Sequence, residues 1–444
     1  MPKIFYPTID LFLYDLIYAL GDDSELVKKS QQDFREKLPP SIQKKLKFPD
    51  EEKEYTYLFP NSKYFVEQFV EKKDFGSFAG YYYPVCLGDT YGLQIDCSLD
   101  NQTQAQSPEV FGKVKTIIEE KLAERIGTIG QSWLISGWLS DAEINQSEDI
   151  AKDCYHALMP DSEWQQDKDG EGYLLGSKIF TLSRTARHII IILYPNKETM
   201  LSSGDFVNDW MRLFYYYHKI IWAYSNSQKL KHKIKNYFAK VQFDSKKVQD
   251  NFVERKQFKK LPASLTEIQN MLDQYTDNLA MLELQKGTIE INLISYQERL
   301  KRIQKKSAIE NQTKTDLECL SNFSDLVNKK YFLQIEKDKE YLERGLKLLE
   351  DKINHVRSRV EIEKAERDRN FQDLVAIAGS GIATVSLLND PGKECKDIIL
   401  KGEAPILKDI PLPFPSFCNY YFSYSVVFGI IVAFLVWWLR KRLL

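Results

Sequence analysis

The stretch HIIIILYP, residues 188–195, is one histidine followed by an unbroken apolar and aromatic run that ends at a proline. Isoleucine is β-branched and favours extended backbone, and a strand without polar alternation has to be covered on both of its faces. The stretch therefore predicts a central strand of a layered sheet. His188 opens this strand, so we expect it to be a structural histidine.

Five further segments predict strands because they are rich in β-branched and aromatic residues and have Gly, Asp or Pro near their ends. They are residues 55–60, 80–87, 91–99, 128–139 and 176–182. Residues 107–127 predict a helix between them, with Ser107 as N-cap and Pro108 at the first helical position. We therefore expect an α/β or α+β domain over residues 1–204, with its strand order open.

The N-terminus and the charge balance indicate where this domain resides. Asp10 and Asp15 interrupt the apolar N-terminal run and no small-residue cleavage site follows, so we expect an amphipathic helix from about Pro7 rather than a signal peptide. This domain should then be cytoplasmic. The 61 basic and 63 acidic residues give a net charge of -2, which offers no reason to expect nucleic acid as a partner.

Residues 205–260 predict a long connecting helix. Its apolar residues recur at helical spacing, and Asp205 follows Gly204 as a candidate cap. We expect this helix to pack on the sheet and to become solvated from Lys229, where the basic tract KLKHKIKNYFAK begins.

Residues 261–370 carry the clearest periodicity in the chain. Apolar residues alternate in steps of three and four from Leu265 to Ile303, with Lys286 as the interruption, and again from Leu342 to Val360. This heptad pattern predicts coiled-coil helices that pair within one chain or between chains. The charged run EIEKAERDRN, residues 361–370, predicts a solvated helical stalk.

Residues 420–439 read YYFSYSVVFGIIVAFLVWWL and contain no charged residue. Twenty such residues match the thickness of a bilayer, so we expect a transmembrane helix. The expected interface residues are Tyr420, Tyr421, Trp437 and Trp438, followed by the basic Arg440, Lys441 and Arg442. The tail, residues 440–444, should lie in the cytoplasm.

If the N-terminal domain and the C-terminal tail both lie in the cytoplasm, the chain must cross the membrane a second time. Residues 371–388 are the other candidate for a transmembrane helix. The uncharged part is about 22 Å long as a helix, which suits an inner helix packed in an oligomer. The residues expected to pack or to line a pore are Gly379, Ser380, Gly381, Ala383 and Thr384. A dinucleotide-binding turn is disfavoured because a charged helix, not a strand, precedes these glycines.

The intervening residues, 389–419, are then an extracytoplasmic loop. Cys395 and Cys418 lie in this loop and could form a disulfide or stay unpaired. The other four cysteines, Cys86, Cys97, Cys154 and Cys319, have no CxxC spacing, and we expect them to be reduced and mostly buried.

No catalytic signature is present in the sequence. It contains no P-loop, no HExxH and no GxSxG, and the five histidines are scattered. Cys154 and His156 are two residues apart and would not share a helix face. We therefore expect a non-enzymatic protein without a cofactor.

The order of these segments resembles the CorA-type divalent-cation transporters over about residues 170–444. The resemblance implies a homopentamer with a central pore lined by residues 371–388, and a divalent cation as the transported ion. CorA proteins carry Gly-Met-Asn at the end of the first span, whereas this chain has SLLND from Ser386 to Asp390. Divergent CorA-like proteins also occur as membrane effectors in prokaryotic defence, which fits a ligand-gated role.

Two functions therefore stand for a multi-pass plasma-membrane protein with both termini in the cytoplasm. The first is an oligomeric ion channel, transporter or pore-forming effector, gated by a cytoplasmic domain that binds a small molecule. The alternative is a membrane-anchored coiled-coil scaffold without conductance. The bilayer and further copies of the chain are the expected partners.

Overall fold

The computed structural model describes residues 4–18, 24–49, 53–100, 104–123, 125–184, 187–253, 261–310 and 314–364. The described residues form two compact units, the first within residues 1–233 and 278–342 and the second within residues 234–277 and 343–364.

The first unit contains a nine-stranded mixed sheet. Its strands are β1 (Ile4–Leu16), β2 (Thr56–Tyr57), β3 (Glu67–Lys73), β4 (Gly76–Leu87), β5 (Thr90–Leu99), β6 (Gly130–Leu139), β7 (Lys168–Leu174), β8 (Ser177–Arg184) and β9 (Arg187–Tyr194). The order is β2-β4-β5-β1-β6-β9-β8-β7, with β3 on β4. Only β6 and β9 pair in parallel, so of the two domain classes left open the structure supports α+β.

The helices are α1 (Ser24–Arg35), α2 (Pro40–Gln43), α3 (Val110–Leu122), α4 (Ser147–Leu158), α5 (Trp164–Asp167), α6 (Lys197–Ser203), α7 (Val207–Val253), α8 (Leu261–Glu310), α9 (Glu318–Leu326) and α10 (Leu333–Lys364). Short 3-10 turns lie at Lys63–Phe65, Ile144–Gln146 and Gly204–Phe206, and a π turn at Val327–Phe332 joins α9 to α10.

Most of the predicted strands are confirmed. Residues 80–87, 91–99, 128–139 and 176–182 correspond to β4, β5, β6 and β8. The segment HIIIILYP is β9, which lies between β6 and β8 and is buried from His188 to Tyr194, as its apolar run predicts. In residues 55–60 only Thr56 and Tyr57 pair. The helix predicted over residues 107–127 is α3, but its N-cap position is Glu109 and not Ser107.

The prediction of an N-terminal helix from Pro7 is wrong, because this segment is β1, in the middle of the sheet. Nearly every residue from Ile9 to Leu16 is apolar, so helical and strand spacing cannot be told apart there. The neighbouring strands decide the matter, since β5 and β6 pair with both edges of β1. Pro7 is tolerated because it lies where the register shifts between Phe5 and Thr8.

One face of the sheet carries the main hydrophobic core. Residues of β1, β5, β6 and β9 pack there with apolar side chains of α1, α3, α4 and α5. Phe34, Phe111 and Tyr155 are the large side chains that these helices bury almost completely. The helices α3 and α4 are thereby fixed on one side of β9.

The opposite face receives the first part of α7, as the prediction of a long helix on the sheet requires. Tyr14 of β1 stands between Gly92 and Gly130 in the strand register. Its hydroxyl donates to the Met211 carbonyl oxygen at 2.7 Å. A Cβ on Gly130 would lie 2.3 Å from Nδ1 of His218, so the glycine provides the room that α7 occupies.

The apolar residues of the heptad pattern, here called the heptad seam, are buried inside a single chain. Of the two pairings left open, within one chain or between chains, the structure therefore shows the pairing within one chain. In the first unit, Ile289, Tyr296 and Ile303 of α8 are buried. Ion pairs join Lys286 to Glu336 at 3.3 Å and Glu283 to Lys339 at 2.7 Å, so these parts of α8 and α10 run antiparallel. In the second unit the seam residues Ile268, Leu272, Tyr275, Leu349, Ile353 and Val356 are buried.

The predicted fold class, an α/β or α+β domain with coiled-coil helices and a C-terminal transmembrane hairpin, needs correction in its last part. No helix within the described ranges is both long enough and apolar enough to cross a membrane. The physical reason is that α7, α8 and α10 carry charged side chains in most turns, as in ERLKRIQKK of residues 298–306. The predicted spans 371–388 and 420–439, the loop 389–419 and the tail 440–444 lie outside the described residues.

The close approach of α7 to the sheet gives a testable prediction. Gly130→Ala should lower the free energy of unfolding by about 1–3 kcal/mol, because the new methyl group overlaps the His218 ring. Gly287→Ala is the matched control, since a Cβ there meets no atom within 4 Å and alanine favours helix by about 0.5–1 kcal/mol. Urea unfolding measures both changes. A Gly130→Ala variant as stable as the wild type would contradict the packing of α7.

Candidate functional site

Two carboxyl groups lie side by side on the sheet face that carries α7. Asp10 of β1 and Asp96 of β5 are direct partners in the antiparallel register, so both side chains point to the same face. Their carboxyl groups are hydrogen bonded to each other. Both residues are partly exposed, so the pair combines a buried environment with access to the surface.

A buried glutamine and a tyrosine complete this group. The amide nitrogen of Gln94 donates to Oδ1 of Asp10 at 2.7 Å and to the hydroxyl of Tyr81 at 3.2 Å. Gln94 is fully buried, and within the described part of the chain its Oε1 atom accepts no hydrogen bond. The group therefore offers an amide oxygen as an unused acceptor beside the carboxyl pair.

Burial and mutual repulsion change the titration of the pair. Burial raises the pKa of Asp10 to about 6, although hydrogen bonds from Gln94 and Asp96 oppose the shift. Burial, and then the charge of Asp10, raise the pKa of Asp96 well above its ordinary value. Both carboxyl groups therefore keep their protons to a higher pH than exposed aspartates do. Such a pair can exchange a proton or bind a group with several donors.

Next to this group in the strand register, two tyrosine hydroxyl groups contact the first turn of α7. Tyr83 is the register partner of Gln94, and its hydroxyl donates to Oδ1 of Asn208 at 2.8 Å. The hydroxyl of Tyr55 lies 2.8 Å from that of Tyr83, and the Arg212 guanidinium lies 4.6 Å from the centre of the Tyr55 ring. The tyrosine hydroxyl groups therefore connect the β4 side of the sheet to the start of this helix.

Beneath α7, two histidines share one serine. Oγ of Ser132 lies 2.9 Å from Nδ1 of His188 and 2.8 Å from Nε2 of His218. Burial lowers the pKa of His188 to about 3, and burial, together with the neighbouring His188, lowers the pKa of His218 well below its ordinary value. Both imidazoles are therefore neutral. The fully buried Ser132 is closed to a substrate, which confirms the expected structural role of His188.

Buried ion pairs hold α7 at two further points. Lys219, which is 3% exposed, forms an ion pair with Asp89 of the β4–β5 turn at 2.7 Å. Asp209, also 3% exposed, forms an ion pair with Arg299 of α8 at 2.9 Å. Arg302 at 3.6 Å and Lys306 at 3.7 Å also lie near the Asp209 carboxylate, so three cations of α8 share this buried charge.

The cysteines behave as predicted. Cys86, Cys97, Cys154 and Cys319 are buried, and none of these four forms a disulfide within the described residues. Burial raises the pKa of the Cys154 thiol well above its ordinary value, so this thiol is a poor nucleophile. His156 instead lies 3.4 Å from Oγ of Ser162, measured from its Nδ1.

The other site residues predicted from the sequence lie outside the described residues. These are Gly379, Ser380, Gly381, Ala383, Thr384, Cys395, Cys418, Tyr420, Tyr421, Trp437, Trp438, Arg440, Lys441 and Arg442. Sequence reasoning missed the Asp10–Asp96 pair because it placed Asp10 on a helix. The available signal was one aspartate inside each of two apolar segments, TIDLF and QIDCS.

Neither a family model, nor a curated protein, nor a solved structure matches this chain. Over the described ranges, no group of three or more His, Cys, Asp or Glu side chains could hold a metal ion.

The carboxyl pair predicts a specific pH dependence. Between about pH 4 and 6 the folded pair keeps a proton that the unfolded chain releases, so this pair makes the protein less stable as pH rises through that window. Asp10→Asn removes the repulsion and keeps an acceptor for Gln94. It should raise the free energy of unfolding at pH 7.5 by up to about 3 kcal/mol and have little effect at pH 4.

Denaturant unfolding at both pH values measures this effect. Asp33→Asn is the matched control because Asp33 is exposed on α1, and it should have little effect at either pH. Loss of stability in Asp10→Asn at pH 7.5 would show that the two carboxyl groups do not repel each other.

Proposed function

We propose that the chain is an oligomeric membrane effector, an ion channel, transporter or pore-forming protein, that its sheet domain gates. The observation that carries the proposal is the mounting of α7 on the sheet face that holds the titratable carboxyl pair. A long helix fixed to a sensing surface is the element that a gated membrane protein needs.

The membrane part of the proposal rests on the sequence. Residues 420–439 contain twenty residues without charge, and Arg440, Lys441 and Arg442 follow directly. The CorA-like layout implies a homopentamer and a divalent cation as the transported ion.

The gating part rests on contacts within the first unit. Three buried polar contacts fix α7 to the sheet: Tyr14 to Met211, Ser132 to His218, and Asp89 to Lys219. The Asp209–Arg299 ion pair then fixes α7 to α8. Because these groups are desolvated, α7 cannot move without the sheet or without breaking costly interactions. Ligand binding or proton transfer at the sheet face therefore has a mechanical route to the helices.

The scaffold function is the second candidate, and a different observation favours it. The heptad seam is buried by the chain itself, so it is not a free surface for partners. However, Leu284, Ile291 and Ile294 of α8 are 44%, 67% and 51% exposed. Exposed apolar residues at helical spacing suit a contact with another protein.

Reconstitution of the full chain into planar bilayers tests the proposal. We expect discrete conductance steps from a detergent-purified complex larger than a dimer. Arg299→Gln should change the open probability about 5-fold or more, because it weakens the connection from α7 to α8. Lys301→Gln, an exposed position on the same helix, is the control and should leave it unchanged. A monomer or dimer without conductance would contradict the channel and leave the scaffold function.

A further inference from the structure

A cavity of about 480 Å³ lies on the sheet face opposite to α7, between α3, the end of α4 and the start of β9. Its lining includes Lys115, Tyr155, Met159, Ser162, Arg187 and Ile189. This volume is within the range of about 300–1,000 Å³ that is usual for small-molecule sites. Apolar and aromatic walls with a few polar groups are also usual in such sites.

Two cations converge on one end of this cavity. Nζ of Lys115 donates to the Leu158 carbonyl oxygen at 2.9 Å, and Nη1 of Arg187 donates to the sulfur of Met159 at 3.0 Å. Leu158 and Met159 are adjacent, so the two cationic groups approach the same end of α4. Sulfur is a weak acceptor, and guanidinium has five N–H donors, so Arg187 keeps donors for a ligand.

The acidic groups nearby offset these charges only in part. Asp161 lines the cavity, and Glu119 lies 3.7 Å from Nζ of Lys115 with its side chain 48% exposed. The described lining thus has two positive groups and one negative group. Ser162, which is buried, adds a hydroxyl at the same place.

We propose that this cavity binds a small organic phosphate monoester. The planar fork of Arg187 can hold two phosphate oxygens, and the Lys115 ammonium and the Ser162 hydroxyl can reach the others. The organic part of the ligand would lie against Met159 and Ile189. This assignment names the ligand class of the sensing domain, so its regulatory meaning rests on the proposed function, whereas binding itself does not.

Lys115 also has a structural role, and the test must separate this role from ligand binding. Its ammonium group binds a carbonyl at the C-terminus of α4, where cations stabilise a helix. Arg187 lies at the start of β9 and is exposed, so its substitution should leave the fold intact. Arg187 is therefore the informative position.

Calorimetric titration of the full chain in detergent tests the proposal, with phenyl phosphate as the probe and phenol as its neutral counterpart. We expect saturable binding of phenyl phosphate, weaker binding of inorganic phosphate and none of phenol. Arg187→Gln should weaken phenyl phosphate binding by about 10-fold or more, since it removes charge-assisted hydrogen bonds. Lys113→Gln, an exposed position of α3, should bind as the wild type does.

Three results would overturn the assignment: no binding of phenyl phosphate, equal binding of phenol, or wild-type affinity in Arg187→Gln. Failure here is distinct from failure of the proposed function. Conductance without phosphate binding would exclude this ligand site and keep the channel. Phosphate binding without conductance would keep the site and exclude the channel.

Discussion

The contact of α7 with the sheet is the constraint on which the rest of the first unit depends. Tyr14 is flanked in the register by Gly92 and Gly130, and the absence of both side chains opens a shallow groove across β5, β1 and β6. α7 fills this groove, and the Tyr14 hydroxyl bonds to its backbone. Once α7 is seated, it positions Asp209 for α8 and closes the polar network around Ser132.

The interface between α7 and the sheet contains many polar groups, and these groups fix one position of α7 on the sheet. A purely apolar contact would allow α7 to shift along the sheet at small cost. The neutral histidine pair, the Lys219–Asp89 ion pair and the Tyr83–Asn208 hydrogen bond each require one register. The Asp10–Asp96 pair lies on the same sheet face, and Asp10, with a pKa of about 6, changes its charge near neutral pH.

The sequence predicts most of the sheet and less of the site, for physical reasons that differ by element. The β9 segment is predictable because four consecutive isoleucines strongly favour a buried strand. β1 cannot be predicted from its own sequence, because an apolar run without regular polar alternation fits either a helix or a strand. Its pairing with β5 and β6 decides in favour of the strand. The Asp10–Asp96 pair depends on register across 86 positions of the chain, which no local pattern contains. The heptads of α8 predict a buried seam, but whether the partner belongs to the same chain is decided only by tertiary structure.

Hydrogen exchange of α7 tests most directly the claim that the helix and the sheet move as one body. Amides of residues 210–224 should exchange with the same opening free energy as amides of β1 and β6. Tyr14→Phe, which removes the hydroxyl bond to Met211, should lower both values by the same amount. Rapid exchange in residues 210–224 while β1 stays protected would contradict the account, because α7 would then open independently of the sheet.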